Sequence, residues 1–283
     1  VLAGPQGTLF GRNTTGGAIR ITTRAPSFTP TATMSASYGR FDALNLRGFL
    51  SGPISDKVAV SVASNYSRQD GYINDLVRGG KIDGAKRFAI RGAILFQPTD
   101  RLDITVSGDY LRNDDPTGAA VSALNGYFGQ TATSLVPRSP RDYIGSIKPA
   151  QNVLQAGGSL KAVYDLGFGS LMALTAYRHT RINSAIEVDR TPDQLIDLTD
   201  HRLVNVFSQE LQLSSNDDGP FTWLIGGYYS DSDAAYSPVT LIGSLAGGST
   251  AIYNKAKSTI YAGFVNGTYK FGDFEVTGGL RYN

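Results

Sequence analysis

From residue 31 to the end of the chain, apolar and polar residues alternate with a period of two. That spacing belongs to strands whose two faces meet different surroundings. The first strand is expected over 31–39, with Ala32, Met34, Ala36 and Tyr38 on one face and Thr33, Ser35 and Ser37 on the other. A second, over 43–52, sets Leu44, Leu46, Gly48 and Leu50 against Asn45, Arg47 and Ser51, and a third, over 57–68, sets Val58, Val60, Val62 and Tyr66 against Ser61, Ala63, Asn65 and Ser67. The run 86–97 places Phe88, Ile90, Ile94 and Phe96 opposite Arg87 and Arg91. The alternation is cleanest from Leu102 onward, where Leu102, Ile104, Val106 and Tyr110 oppose Asp103, Thr105, Ser107 and Asp109. Six further strands are expected over 153–164, 169–178, 202–214, 221–231, 258–270 and 273–283, which makes eleven.

The connections alternate too. Turns at 53–56, 98–100, 165–168, 216–220 and 271–272 are short, whereas 69–85, 113–152, 180–201 and 232–257 are long. Loops beyond about fifteen residues are uncommon in compact domains. Strict short–long alternation puts every long loop at the same end, as antiparallel up-and-down strands do. Aromatic residues sit at the ends of the apolar faces: Tyr38, Tyr66, Phe88, Phe96, Tyr110, Tyr164, Tyr229, Tyr269, Phe274 and Tyr282. A polar interior, an apolar exterior and aromatic girdles define a transmembrane β-barrel. The competing reading is a large soluble barrel or sandwich with a wet outer face. Eleven strands sharing one loop asymmetry favour the all-β, transmembrane, antiparallel up-and-down barrel.

Composition narrows the chemistry. A net charge of +2 with scattered cations does not suit nucleic acid as a partner. The absence of cysteine excludes disulfides, thiolate metal sites and a cysteine nucleophile. His179 and His201 are the only histidines and are not at metal-ligand spacing, so no metal site and no cofactor are expected. No apolar run approaches the ~20 residues of a spanning helix.

The first twenty-six residues differ from the rest. Gly4, Gly7, Gly11, Gly16 and Gly17, with Pro5, fall within seventeen residues, ahead of a short alternating strand expected over 18–22. Glycine supplies positive φ and close backbone approach. The segment 11–17 has glycines at phosphate-loop spacing, but Gly17-Ala18 follows where Lys-Ser or Lys-Thr would be needed, which argues against nucleotide binding. Val1 is not an initiator methionine, and the opening reads as the middle of a folded unit, so the chain is expected to be part of a longer one.

The head, from Gly4-Pro5-Gln6-Gly7 through Gly16-Gly17-Ala18-Ile19, resembles the last segment of the plug domain in TonB-dependent outer-membrane receptors. Arg68-x-Asp70-Gly71-Tyr72, Phe207-Ser208-Gln209-Glu210-Leu211 and Gly278-Gly279-Leu280-Arg281-Tyr282 are similar to barrel motifs of the same family, in the family's order. The resemblance implies a plug end over 1–26, a linker over 27–30 and the first half of a barrel over 31–283, eleven of the family's twenty-two strands. It implies the outer membrane of a Gram-negative bacterium and partners of three kinds. These are a TonB-type energy-transducing protein, a small ligand such as a ferric siderophore, and outer-membrane lipid with lipopolysaccharide. Cobalamin or an oligosaccharide stay open as ligands. A passive porin is the lesser alternative, since a porin has no plug.

The plug motif residues are then Gly4, Pro5, Gly7, Gly11, Arg12, Gly16 and Gly17. The family usually carries arginine where this chain has Ala3, and in the family plug arginines pair with wall glutamates. Glu210 resembles such a glutamate, and Arg12 or Arg20 is its expected partner. Loop residues Tyr127, Phe128, Arg138, Arg141 and Tyr143, with Tyr236 and Tyr253, put aromatics beside cations, which suits an aromatic or anionic ligand. Asp114-Asp115, Asp217-Asp218 and Asp231-x-Asp233 read as solvated turn residues, and no serine is placed beside either histidine, so no catalytic residue is expected.

Overall fold

The structure is a computed structural model, and it describes residues 2–3, 16–19, 21–115, 137, 139–216 and 219–283. The strands in chain order are β1 (Leu2–Ala3), β2 (Gly17–Ala18), β3 (Thr31–Gly39), β4 (Ala43–Ser55), β5 (Val58–Gln69), β6 (Ile73–Asp75), β7 (Lys81–Ile82) and β8 (Ala85–Thr99). They continue with β9 (Leu102–Asp114), β10 (Asp142–Tyr143), β11 (Ala150–Asp165), β12 (Gly169–Glu187), β13 (Asp197–Ser215), β14 (Phe221–Gly243), β15 (Gly248–Phe271) and β16 (Phe274–Tyr282).

Eleven of these form one sheet, in the order β3-β4-β5-β8-β9-β11-β12-β13-β14-β15-β16. Every neighbouring pair is antiparallel. The order follows the chain without a crossing, as the alternation of turns requires. The sheet is open, with β3 and β16 as its edges. An edge strand presents unpaired N–H and C=O groups, and an uncovered apolar face adds a second route to association. Expressed alone, this chain is expected to aggregate in detergent-free buffer. A sharp monomer peak on size exclusion with a cooperative melt would contradict that.

The register puts the two sets of side chains on opposite faces. One face carries Met34, Leu50, Val62, Ile94, Val106, Leu160, Leu211, Ile225, Val265 and Leu280, all exposed. Two aromatic girdles frame this apolar band. Tyr38, Tyr66, Phe88, Tyr110, Tyr177, Phe207, Tyr229, Tyr261 and Tyr282 follow one another across the ladder near the long-loop end. Neighbouring rings touch, with centroids 6.4 Å apart for Phe88–Tyr110 and 5.0 Å for Tyr229–Tyr261. Phe96, Tyr164, Phe221, Tyr269, Phe271 and Phe274 form the second girdle near the short turns. Phe88 and Phe96 are eight residues apart, as are Tyr261 and Tyr269. Eight residues span about 27 Å along a strand, or about 20 Å along the membrane normal at the tilt of a barrel, close to the apolar band such barrels show.

Four strands outrun the membrane. β12 and β13 have 19 residues each, β14 has 23 and β15 has 24, against about 9–11 for a spanning strand. The stretches 180–201 and 232–257, expected as loops, are for the most part extensions of these strands into two tall hairpins. The sequence pattern stops at the girdle because above it both faces are wet. There the outward face carries His179 bonded to Asn205 at 2.7 Å and Lys255 paired with Asp233 at 3.3 Å. With polar residues on both sides, the period of two disappears from the sequence while the backbone ladder continues.

The strand expected over 18–22 is also shorter than its alternation suggested. Among the described residues only Gly17–Ala18 pairs there, with Leu2–Ala3. Ile19 and Ile21 are exposed, and no strand among the described residues lies beside them. Finally, the loops after β5 and β9 meet. β6, β7 and β10 form a separate small sheet, and Ile73, Ile82 and Tyr143 make its buried core with Tyr72 packed against them.

Candidate functional site on the polar face and the loop rim

The segment after β2 lies on the polar face of the sheet. Ser27 N–H donates to Ser51 Oγ at 2.9 Å, and that hydroxyl donates to Val60 O at 3.0 Å. Pro26 is buried. The Arg24 guanidinium lies 5.3 Å from the Phe49 ring centroid. An open cleft of about 390 Å³ lies between Thr23, Arg24 and the polar-face residues Thr33, Ser35, Arg47, Ser61 and Arg91. The chain therefore approaches the sheet from the side that lines a barrel lumen.

Further along the same face, an ion network bridges four strands. Asp109 on β9 accepts both arms of Arg178, a β12 residue, at 2.9 Å each, and Arg91 on β8 at 3.3 Å. Arg91 also donates to Ser107 Oγ at 3.0 Å, and Ser107 shares a 2.8 Å bond with Ser159. Between Asp109 and Arg178 runs β11, with Gly157 as the register partner of both. A β-carbon on Gly157 would lie 2.9 Å from Tyr177 O and 3.2 Å from Arg178 Cζ. The glycine opens the gap through which arginine reaches the aspartate two strands away. Strand parity puts all these residues on the polar face. Their meeting depends on a pairing of residues 69 apart in the chain, which is why no local signal in the sequence marked them.

Glu210 stands on this polar face as well, where Leu174 and Tyr228 are its register partners. Gln212 donates to its Oε1. Gly17 has φ 137, a backbone conformation open to glycine, whereas a β-carbon on Gly16 would meet nothing within 4 Å. Gly4, Pro5, Gly7, Gly11, Arg12, Arg20, Tyr127, Phe128 and Arg138, and the Asp217-Asp218 pair, lie outside the described residues.

At the long-loop end, Arg202 forks onto Asp200 at 2.8 and 3.1 Å and lies 5.5 Å from the Tyr236 ring centroid, all three on the lumen-side face. Tyr236 is thus held as an aromatic–cation pair at the mouth. Tyr253 is 71% exposed but shares its face with Lys255, the side turned away from Tyr236. Arg141 is exposed. Tyr143 is only 1% exposed, so its ring builds the loop core and is not an open ligand contact here. His201 bonds Asn183 at 2.7 Å, so both histidines face asparagines.

Three loops converge at Tyr143. Its hydroxyl donates to Ile147 O at 2.5 Å and lies 3.4 Å from Glu187 Oε2. Arg78, from the β5–β8 loop, donates to Ser146 O and Ile147 O at 2.8 Å each and to Asp75 at 2.8 Å. Ser146 Oγ reaches both Glu187 at 3.2 Å and Asp197 at 2.5 Å, across the β12–β13 hairpin. A β-carbon on Gly145 would come within 2.5 Å of Glu187 Oε2, so glycine there allows the close approach. Burial, and then the neighbouring Asp197 carboxylate, push the Glu187 carboxyl up to about 7.

An open run of antiparallel strands with an apolar band, two aromatic girdles, a polar inner face and tall hairpins at one end is the wall of an outer-membrane β-barrel. The sequence model of the family described as "TonB dependent receptor-like, beta-barrel" matches residues 92–283, and the chain belongs to that family. Solved structures with the same fold include the ferric yersiniabactin uptake receptor FyuA from Yersinia pestis, with a TM-score of 0.84 at 19% identity over 99% of this chain. The ferric-catecholate import receptor Fiu from E. coli K12 in its open form superposes with a TM-score of 0.77 at 13% identity over 98% of this chain. The siderophore receptor PiuA from Acinetobacter baumannii gives 0.69 at 14% over 99%. The chain spans 42%, 48% and 46% of those three chains, less than half of each.

Proposed function

We propose that this chain is part of a receptor that takes up a ferric siderophore across the outer membrane, energised by a TonB-type protein. Residues 1–26 are read as the end of its plug, 27–30 as a linker and 31–283 as the first half of its barrel. The observation that carries the reading is the path of residues 21–30 onto the polar face of the sheet, anchored through Ser27 and Ser51 and capped by Arg24 over Phe49. A passive porin has no reason to lead a segment onto that face. The Arg202–Tyr236 pair at the mouth supports an aromatic or anionic ligand. Three of the similar structures are named for ferric siderophores or their uptake, and that supports the ligand class.

The test is growth under iron limitation of a strain carrying the whole receptor, fed individual ferric siderophores. Growth that depends on both the receptor and TonB is the expected result. Equal growth with and without the receptor on every siderophore, alongside receptor-dependent uptake of cobalamin or an oligosaccharide, would replace the ligand class. Glu210 is proposed as a wall contact to a plug cation, Arg12 or Arg20. Glu210→Ala is expected to leave barrel levels intact while lowering uptake or admitting large antibiotics. Unchanged uptake and unchanged leakage would make it an ordinary lumen residue bonded to Gln212.

A further inference from the structure

The β12–β13 turn holds three buried carboxylates: Glu187 at 7% exposure, Asp189 at 2% and Asp197 at 0%. One oxygen from each lies within 4.8 Å of the others. Buried like charges at this range repel, so something must compensate them. Asp189 accepts from Thr191 N–H at 2.9 Å, Thr191 Oγ1 at 2.6 Å, Leu195 N–H at 3.1 Å and Ile196 N–H at 2.7 Å, which fixes the turn. Glu187 Oε1 accepts from Arg190 N–H at 2.9 Å. The Ser146 hydroxyl, with a single proton, stands between Glu187 Oε2 and Asp197 Oδ2 and can donate to only one of them. Asp197 Oδ1 is buried and accepts no hydrogen bond among the described residues. An orphaned carboxylate oxygen inside a protein is costly, and native structures fill such positions with water or an ion.

We propose that Glu187 and Asp197, set in place by the turn that Asp189 holds, bind a calcium ion that pins the β12–β13 turn to the loop carrying Ser146. The donors are all hard oxygens, with no imidazole or thiolate, which suits calcium over zinc or copper. Calcium–oxygen bonds of about 2.3–2.6 Å place ligands on one shell no more than about 5 Å apart, and the Glu187 and Asp197 oxygens lie within that range. The site lies at the long-loop end, above the upper girdle. An extracellular site of this charge binds at about 10⁻⁴–10⁻³ M. The ion would tie the rim into one rigid body, because Ser146 and Ile147 are also held by Arg78 from the β5–β8 loop.

The test uses the whole receptor, purified in detergent and stripped with EDTA. Calorimetric titration with CaCl₂ is expected to show saturable binding at one site, with MgCl₂ weaker, and calcium should raise the melting temperature. Asp197→Asn, which keeps the shape, should weaken calcium binding ~10-fold or more, while Asp273→Asn at the opposite end of the barrel should not. Glu187→Gln is the second variant, in case Asp197→Asn misfolds, and should behave likewise. Absence of saturable binding, or equal binding in wild type and both cluster variants, would overturn the site. So would a stripped wild type as stable as the calcium-loaded one with Glu187→Gln more stable still, since the pair would then be sharing a proton.

Discussion

Val106→Arg is expected to strip the receptor from the outer membrane. Val106 lies midway between the two girdles, on the lipid-side face, and is 50% exposed in the open sheet. Its register neighbours, Ile94 and Leu160, are apolar and exposed as well. An arginine on the lipid face at the bilayer midplane costs about 2–4 kcal/mol, a large part of the ~5–15 kcal/mol by which a folded domain is stable. Thr105→Arg moves the charge by one residue to the polar face, where Asp103 stands two positions along. It should therefore assemble at near wild-type levels. Membrane fractionation with heat-modifiability on gels reads both. Equal loss in both variants, or normal assembly of Val106→Arg, would mean that the faces are assigned the wrong way round.

Gly157→Val should break the network across the polar face while leaving the membrane band untouched. The added β-carbon meets Tyr177 O at 2.9 Å and the Arg178 guanidinium at 3.2 Å. The backbone cannot retreat without disturbing a ladder paired on both sides, so Arg178 must leave Asp109. Overpacking of this kind costs about 1–3 kcal/mol, and the half-exposed fork adds little beyond about 1 kcal/mol. Gly158→Val is the matched comparison. Its side chain would face lipid, with its nearest contact, Ser107 O, at 3.4 Å, and valine suits a strand. In detergent melts Gly157→Val should unfold at clearly lower temperature and Gly158→Val at an unchanged or higher one. If the two melt alike, the space above Gly157 is not what lets Arg178 reach Asp109.

The two substitutions separate what each level of description contributes. Alternation alone was enough to assign Val106 and Thr105 to opposite faces, because a membrane barrel imposes a different solvent on each side and selects residues to match. The same logic found the first strand, Thr31–Gly39, to the residue, and it placed the turns after β4, β8, β11 and β15 to within a few residues. The hairpin extensions were hidden for the same physical reason in reverse. Where Asp231, Asp233, Lys255 and Lys257 stand in water on the outward face of the ladder, no solvent contrast between the faces writes a period into the sequence.

Only the tertiary structure could assemble the chemistry. Asp109 and Arg178 meet because β11 places a glycine between them. Tyr143 read as a ligand contact because aromatics in long loops often are, yet it sits in a core made by two loops whose strands, β6 and β10, pair in parallel. Glu187 and Asp197, ten residues apart, look like ordinary turn acids. They become a buried charge cluster only when the turn folds back and Ser146 arrives from a separate loop. Period and motif are properties of neighbours in sequence, and they determined the barrel wall and its family. Register and loop docking are properties of neighbours in space, and they alone decided which charges meet.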